Sequence, residues 1–197
     1  MLQQAEYLRD GVRQAYSAVA DNPQGEHPFP VGRQFAESLG YPLALLAGLP
    51  AIAVEAFAGV SNVAIFADLP EGATVLDLGC GAGLDALIVA QRVGPAGRVI
   101  GLDFSEPMLA RARQAATEAG LNNVEFRQAD AETLLLEDAS IDAALVNGIF
   151  NLNPARDLIF SELARVVRSG GAVYGAEIIL REPLPPEEQA SETNWFA

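Results

Sequence analysis

The nine residues VLDLGCGAG, at positions 75–83, have the composition of a ligand-binding turn. An apolar run that carries one acid, Asp77, leads into three glycines at alternate positions, Gly79, Gly81 and Gly83. Glycines let the backbone turn sharply and approach a ligand closely, and a helix that follows offers free N–H groups. Nicotinamide and flavin dinucleotides, nucleoside triphosphates and S-adenosylmethionine all suit such a turn. Polar residues elsewhere in the sequence have to indicate which of these ligands the turn binds.

Three later apolar runs also end in polar or small residues. In a doubly wound sheet, ligands lie beyond the C-terminal ends of the strands, so these positions converge on the glycine turn. The candidate residues after the three runs are Asp103, Phe104, Met108, Asp130, Ala131, Glu132, Asn147 and Gly148. A carboxylate at position 103 can accept hydrogen bonds from both hydroxyls of a ribose, a feature that NAD enzymes share. Asp130 has helix capping as an equally simple explanation.

Composition excludes several kinds of chemistry. All twelve basic residues are arginines, so neither a P-loop lysine nor a Schiff-base lysine is available. The single cysteine, Cys80, and the single histidine, His27, exclude a disulfide framework and predict no Cys/His metal site. A formal charge of -14 disfavours nucleic acid as a partner, because polyanions need a basic surface.

The elements that would position these residues alternate regularly after Thr74. Strands are predicted at 74–79, 98–103, 124–129, 141–147 and 172–180, and helices at 84–93, 106–119 and 155–168. This alternation predicts an α/β fold with a Rossmann-like doubly wound parallel sheet over residues 71–181. Residues 1–70 lack a strand pattern and are predicted to form an N-terminal helical cap, with helices at 5–19 and 51–68. Residues 182–197 are predicted to be a C-terminal tail.

Residues 41–60 are almost uniformly apolar, which raises the question of a membrane span. Pro42, Gly48, Pro50 and Glu55 interrupt the run, so we expect two short buried helices with a turn at 48–50. The first ten residues show no secretory signal. The sequence therefore predicts a cytoplasmic protein without a membrane partner.

The glycine turn resembles motif I of the class I S-adenosylmethionine-dependent methyltransferases. Its spacing is GxGxG with an acid two residues ahead, whereas a dinucleotide turn of the GxGxxG type would need glycine in place of Leu84. Asp130 resembles the acid that contacts the adenine amino group in that family, and Asn147 lies at the mouth between donor and acceptor. The resemblance implies S-adenosylmethionine as cofactor and methyl transfer to a small-molecule acceptor.

Within this superfamily, four segments resemble the arsenite methyltransferase branch: VEAFAGVSN, LDLGCGAGLDALI, VIGLDFSEPMLARAR and VNGIFNLNP. The resemblance adds Asp85 to the donor site, from a similar Gly-x-Asp at the start of the motif-I helix. The branch holds arsenic with cysteine thiolates, but this chain has Val60 and Gly148 at two of those positions. Cys80 lies inside the glycine turn and is expected to line the donor site. The resemblance therefore implies the fold and the donor and does not supply the substrate.

Candidates for a catalytic base are few. Methyl transfer needs a base only when the acceptor is a weakly acidic hydroxyl or carbon acid. His27 would have to fold over the site from the cap. Tyr16 resembles a tyrosine that related enzymes place near the methionine part of the donor. Both are retained as candidate catalytic residues.

The fifth predicted strand, AVYGAEIIL, would form an aliphatic sheet edge, which natural proteins avoid. The resemblance implies seven strands, of which the sequence indicates five. A shortened chain, coverage by the N-terminal segment, and coverage by a homodimer or partner subunit are all compatible with this, and we expect the last. A donor-binding subunit without transferase activity remains the alternative to an enzyme, and NAD-dependent oxidoreduction is a further one.

Overall fold

The computed structural model of the protein describes residues 2–179, and these form a five-stranded parallel sheet flanked by helices. The strands are β1 (Thr74–Leu78), β2 (Arg98–Asp103), β3 (Val124–Gln128), β4 (Ile141–Asn147) and β5 (Val167–Ala176). Their order is β3-β2-β1-β4-β5, and every pairing is parallel. The order switches direction between β1 and β4, which in doubly wound sheets marks the ligand crevice. The predicted Rossmann-like fold is confirmed.

Three helices connect the strands: α6 (Leu84–Val93), α7 (Glu106–Glu118) and α8 (Arg156–Val166). Helix α7 begins as its sequence predicts, because the Ser105 hydroxyl accepts a hydrogen bond from the Met108 amide and Pro107 lies in the first turn. Helix α6 is buried over most of its surface, since it packs between the sheet and the N-terminal helices. Its N-terminus therefore lies at the end of β1, directly after the glycine turn.

The described part of the N-terminal region is helical. Its elements are α1 (Leu2–Asp21), α2 (Arg33–Ser38), α3 (Leu43–Ala47), α4 (Ala51–Val54) and α5 (Val63–Phe66). The turn expected at 48–50 is confirmed, and within residues 2–179 no helix is long and apolar enough to cross a membrane. The boundaries of the cap and core stay predictions, and the predicted tail lies outside the described residues.

One predicted helix is wrong: residues 51–68 form two short helices, α4 and α5, separated by a loop. The side chain of Asn147 explains the break. Its Oδ1 accepts hydrogen bonds from the backbone amides of Val60 and Ser61, at 2.9 and 3.1 Å. Because those amides are bonded to a side chain of the sheet, they are not available for a continuous helix.

The fifth strand is also shifted from its prediction, at 167–176 instead of 172–180, and α8 ends correspondingly earlier, at Val166. Gly170 and Gly171, which follow the predicted end of the helix at 168, lie inside the strand. Gly170 has φ +80°, and the pairing of β5 with β4 is irregular between Ile141 and Ala143. A glycine with positive φ is typical of a β-bulge, which accounts for the irregular pairing around Gly170.

Strand β5 lies at one edge of the described sheet, and the side chain of Val173 on it is 46% exposed. A homodimer or partner subunit covering this edge stays a prediction. We expect sedimentation velocity to show an oligomer, because an edge strand that the described residues leave unpaired, and that carries apolar side chains, favours pairing. A monodisperse monomer over the micromolar range would contradict the expectation. Charged substitution of Val173 to Lys should shift an oligomer toward monomer.

Candidate functional site

The glycine turn closes tightly against the ends of β2 and β4. The amides of Gly79 and Cys80 both donate to the carbonyl of Leu102, at 2.8 and 3.0 Å. Gly79 has φ +75°, and a Cβ there would lie 2.4 Å from the Ile149 side chain. Gly83 has φ +88°, and a Cβ there would lie 3.0 Å from both Ala112 and Phe126. These two glycines are therefore required by the packing of the protein itself.

Gly81 differs from its two neighbours. Its φ is +51°, and a Cβ built on it would meet nothing within 4 Å. The residue borders a cavity at the C-terminal ends of the strands. Because glycine has no side chain, Gly81 leaves free space where a ligand would approach the turn.

The first cavity collects most of the candidate residues. Of those identified from the sequence, it is lined by Tyr16, Asp77, Gly79, Cys80, Gly81, Asp85, Asp103, Phe104, Met108, Asn147 and Gly148. The cap closes the cavity from above with α1 and with residues 53–59. The ends of the parallel strands and helix α1 of the cap thus bring together residues separated by up to 132 positions, from 16 to 148.

A second cavity adjoins the first. They share Gly79, Asp103 and Phe104, and the second one contains the remaining acid-rich segment, Asp130, Ala131 and Glu132. Side by side, the two cavities follow the ends of β1, β2 and β3. An elongated ligand could therefore extend across both.

Two candidates line neither cavity. Gly83 caps α6 behind the turn. The His27 ring nitrogen Nε2 makes a 2.8 Å hydrogen bond with the carbonyl of Asn22, and the ring centroid lies 6.5 Å from that of Phe29. The structure therefore does not bring His27 to the site, and of the two catalytic candidates only Tyr16 borders the first cavity.

Asp103 is held rigidly at the end of β2. Its Oδ2 accepts a hydrogen bond from the Gly81 amide and its Oδ1 from the Ser105 amide, both at 2.8 Å. Burial raises the pKa of this carboxyl to about 6, although the two amides lower it. Each carboxylate oxygen keeps a lone pair for a further donor. The geometry suits a carboxylate that accepts hydrogen bonds from two neighbouring hydroxyls.

Asp77 is the most unusual group of the site. Its side chain is 2% exposed, and its Oδ2 has no hydrogen-bond partner within residues 2–179. Burial, followed by the nearby charges of Asp85 and Asp103, raises the pKa of this carboxyl well above its usual range. A buried carboxylate oxygen without a partner is costly unless a ligand in the adjoining cavity supplies that partner. A cationic group fits this position, as the sulfonium or ammonium group of S-adenosylmethionine would.

Asp85 and Asn147 border the first cavity, but their polar atoms are largely engaged by the protein. Asp85 Oδ1 accepts a hydrogen bond from the Tyr41 hydroxyl at 2.5 Å, and Asp85 Oδ2 accepts one from Asn147 Nδ2 at 2.9 Å. The same Nδ2 donates to the carbonyl of Ser61 at 2.7 Å. Burial raises the pKa of Asp85 to about 6. The pair therefore fastens the loop between α4 and α5 to the sheet.

Tyr41 belongs to this network without a sequence signal that marks it. It stands in the apolar 41–60 stretch, where a tyrosine reads as an ordinary core residue. Its hydroxyl also donates to the carbonyl of Ser61 at 3.1 Å, so it reinforces the contact made by Asn147. Only the tertiary structure reveals this role, because its partner Asp85 lies 44 positions away.

Val60 and Gly148, the two positions at which the resemblance implied thiols, adjoin one another. A Cβ built on Gly148 would lie 2.8 Å from Cγ1 of Val60. Cys80 is buried in the glycine turn, and burial raises the pKa of its thiol well above the usual range. Val60 thus places an aliphatic side chain at the loop position. The thiol of Cys80 is held in its neutral form.

The free space at Gly81 gives a direct test of the site. We expect Gly81→Ala to lower the affinity for S-adenosylmethionine at least about tenfold, because its methyl group enters the cavity. Its cost in stability should be only about 1 kcal/mol, from the left-handed backbone. Gly72→Ala is the matched control, since Gly72 also has a positive φ (+80°) and open space around it. Calorimetric titration and thermal unfolding of both variants check the prediction; equal affinities would contradict it.

Two curated relatives show what the chain is similar to. An arsenite methyltransferase of Halobacterium salinarum is 38% identical over 131 residues, which are 66% of this chain and 34% of the relative. A demethylmenaquinone methyltransferase of Lactococcus lactis is 37% identical over 121 residues, 61% of this chain and 48% of the relative. The chain thus spans between about a third and a half of the length of these relatives.

A solved structure and a family model also match this chain, and both are methyltransferases. The crystal structure of an arsenic(III) S-adenosylmethionine methyltransferase from Chlamydomonas reinhardtii is 31% identical, with a TM-score of 0.66 over 78% of this chain and 56% of that one. A family model described as a methyltransferase domain matches residues 69–196. The chain belongs to the class I S-adenosylmethionine-dependent methyltransferase family.

Proposed function

We propose that this protein binds S-adenosylmethionine across the two cavities and transfers its methyl group to a small apolar molecule. The observation that carries the proposal is the buried oxygen Oδ2 of Asp77, which has no hydrogen-bond partner within residues 2–179, beside the open face of Gly81. When bound, S-adenosylmethionine supplies an electrophilic methyl group on a positively charged sulfur. The protein then has to hold two reactants in line and exclude water.

Different residues would hold the different parts of the donor. Asp103, fixed by two backbone amides, would accept hydrogen bonds from the ribose hydroxyls. Asp77 would face the positive charge of the methionine part, and Cys80 and Met108 would supply apolar contacts. The second cavity would hold the adenine, and Asp130 at its rim could accept a hydrogen bond from the amino group.

The walls on the cap side support an apolar acceptor. They are formed by Ala53 from α4, by Ala56, Phe57 and Ala58 from the loop that follows it, and by Tyr16 from α1. Burial, and then the charges of Asp103 and Glu177, raise the pKa of Tyr16 above its ordinary value. The phenol therefore stays protonated and can donate a hydrogen bond, but it is a poor base. This environment favours an acceptor whose nucleophilic atom needs no deprotonation by the protein.

The proposal is tested first by donor binding and then by turnover. We expect calorimetry to show micromolar binding of S-adenosylhomocysteine and no binding of NAD. Incubation with methyl-labelled donor and a fractionated metabolite extract should then give a labelled product of low polarity. Binding of NAD in place of S-adenosylhomocysteine would overturn the donor assignment. Donor binding without any labelled product would favour a non-catalytic donor-binding subunit.

A further inference from the structure

Glu132 lies where three separate segments meet above the second cavity. Its Oε2 accepts a 2.6 Å hydrogen bond from Arg9 Nη2 on α1, and its Oε1 accepts a 2.8 Å hydrogen bond from Asn153 Nδ2 after β4. All three residues line the second cavity. Both carboxylate oxygens are therefore bonded to the protein, and the side chain is only 14% exposed.

A second arginine of α1, Arg13, lies one helical turn further along and also contacts an acid at the rim of the second cavity. Arg13 Nη2 lies 3.6 Å from Asp130 Oδ1, and its guanidinium carbon lies 5.8 Å from the centre of the Phe104 ring. Asp130 and Phe104 also line the second cavity. Because Arg9 and Arg13 are four residues apart, they project from the same face of the helix. That face forms the roof of the cavity.

The two halves of α1 contact the rest of the protein through different kinds of interaction. Toward its C-terminal end, Val19 is fully buried, the Ser17 hydroxyl lies 2.9 Å from that of Ser105, and Arg111 donates to the Ala20 carbonyl. Around Arg9 and Arg13, the described contacts with the cavity rim include two ion pairs, and Val12 between them is buried. Ionic contacts at a partly exposed position are weakened by salt, whereas apolar contacts are not.

We propose that Arg9, Glu132 and Asn153 form a clasp that holds the N-terminal half of α1 over the adenosine end of the donor. In this role Glu132 is a positioning residue: it closes the roof and does not itself contact the adenine. The clasp governs how fast the demethylated donor leaves, because the roof covers the cavity in which the adenosine lies. This inference rests on the proposed donor site.

The test measures release of S-adenosylhomocysteine by surface plasmon resonance at 50 and 500 mM NaCl. We expect wild-type release to accelerate roughly threefold to tenfold at the higher salt, because screening weakens the clasp. Arg9→Gln and Glu132→Gln should both release the ligand fast at low salt and respond little to added salt. The double variant should be no faster than either single one, since both remove one interaction. Gln is a good helix former, so α1 should remain intact in Arg9→Gln.

Arg98→Gln is the matched control, because Arg98 forms an equally short ion pair with Glu125 away from both cavities. It should release the ligand at the wild-type rate and with the wild-type response to salt. If Glu132 instead contacts the adenine, Glu132→Gln alone will accelerate release and Arg9→Gln will leave it unchanged, which overturns the clasp. Wild-type protein that binds no S-adenosylhomocysteine would overturn the proposed function itself.

Discussion

Replacement of Asp103 by alanine is expected to lower the affinity for S-adenosylmethionine at least about 100-fold. Its carboxylate would accept hydrogen bonds from two ribose hydroxyls, and a hydrogen bond to a charged group contributes about 1.5–3 kcal/mol, where 1.4 kcal/mol is tenfold in affinity. The carboxylate is already oriented by the amides of Gly81 and Ser105, so little entropy is lost on binding. Calorimetric titration with S-adenosylmethionine and S-adenosylhomocysteine measures the effect, which should be similar for both ligands.

The same substitution also removes hydrogen bonds from the fold, so a control must separate the two effects. Asp142 is suited to this, since its Oδ2 accepts a 2.7 Å hydrogen bond from the Thr74 amide at the opposite end of the sheet. We expect Asp142→Ala to lower the melting temperature by an amount comparable to Asp103→Ala while binding the donor normally. If Asp103→Ala retains wild-type affinity, the ribose does not lie at the end of β2.

The positions of the candidate residues along the chain were predictable, because they depend on a local signal. An apolar run that ends in an acid or a glycine can be identified without knowledge of its neighbours, and parallel strands place all such ends at one edge. Asp77, Asp103 and Asn147 were therefore placed at the crevice from sequence alone. Their partners were not predictable in the same way.

The sequence did not show the break in the predicted 51–68 helix because a contact distant in sequence decided the local conformation. The 51–68 segment has helical composition, but Asn147 binds the amides of Val60 and Ser61 and prevents a continuous helix. Arg9 and Glu132 are 123 positions apart, so neither residue indicates the other. His27 was a candidate only because it is the single histidine, and the structure places its ring against the carbonyl of Asn22.

Replacement of Asp77 by asparagine is expected to separate stability from donor binding. In the free protein, Asp77 Oδ2 is buried without a partner within residues 2–179, beside two other buried carboxylates. A neutral amide of the same shape removes the cost of burying a negative charge, about 1–3 kcal/mol or more, but it also removes the charge that would face the donor. We therefore expect the variant to unfold at a higher temperature and to bind S-adenosylmethionine at least about tenfold more weakly.

The pH dependence identifies the ionised carboxylate as the cause. Burial raises the pKa of Asp77 in the folded protein above the value of about 4 in the unfolded chain, so the folded state binds its proton more tightly. The wild type must then lose stability relative to Asp77→Asn as the pH rises above 4, and the difference persists at pH 8. Thermal unfolding of both proteins without ligand, at pH 4 and at pH 8, should show nearly equal melting temperatures at the lower pH and a more stable variant at the higher one.

A variant that is less stable than the wild type at pH 8 would mean that Asp77 has a partner in the fold, and the cavity would then lack its site for a cation. Saturating S-adenosylmethionine should reduce the stability advantage of the variant at pH 8, because only the wild type has a carboxylate for the bound cation to neutralise.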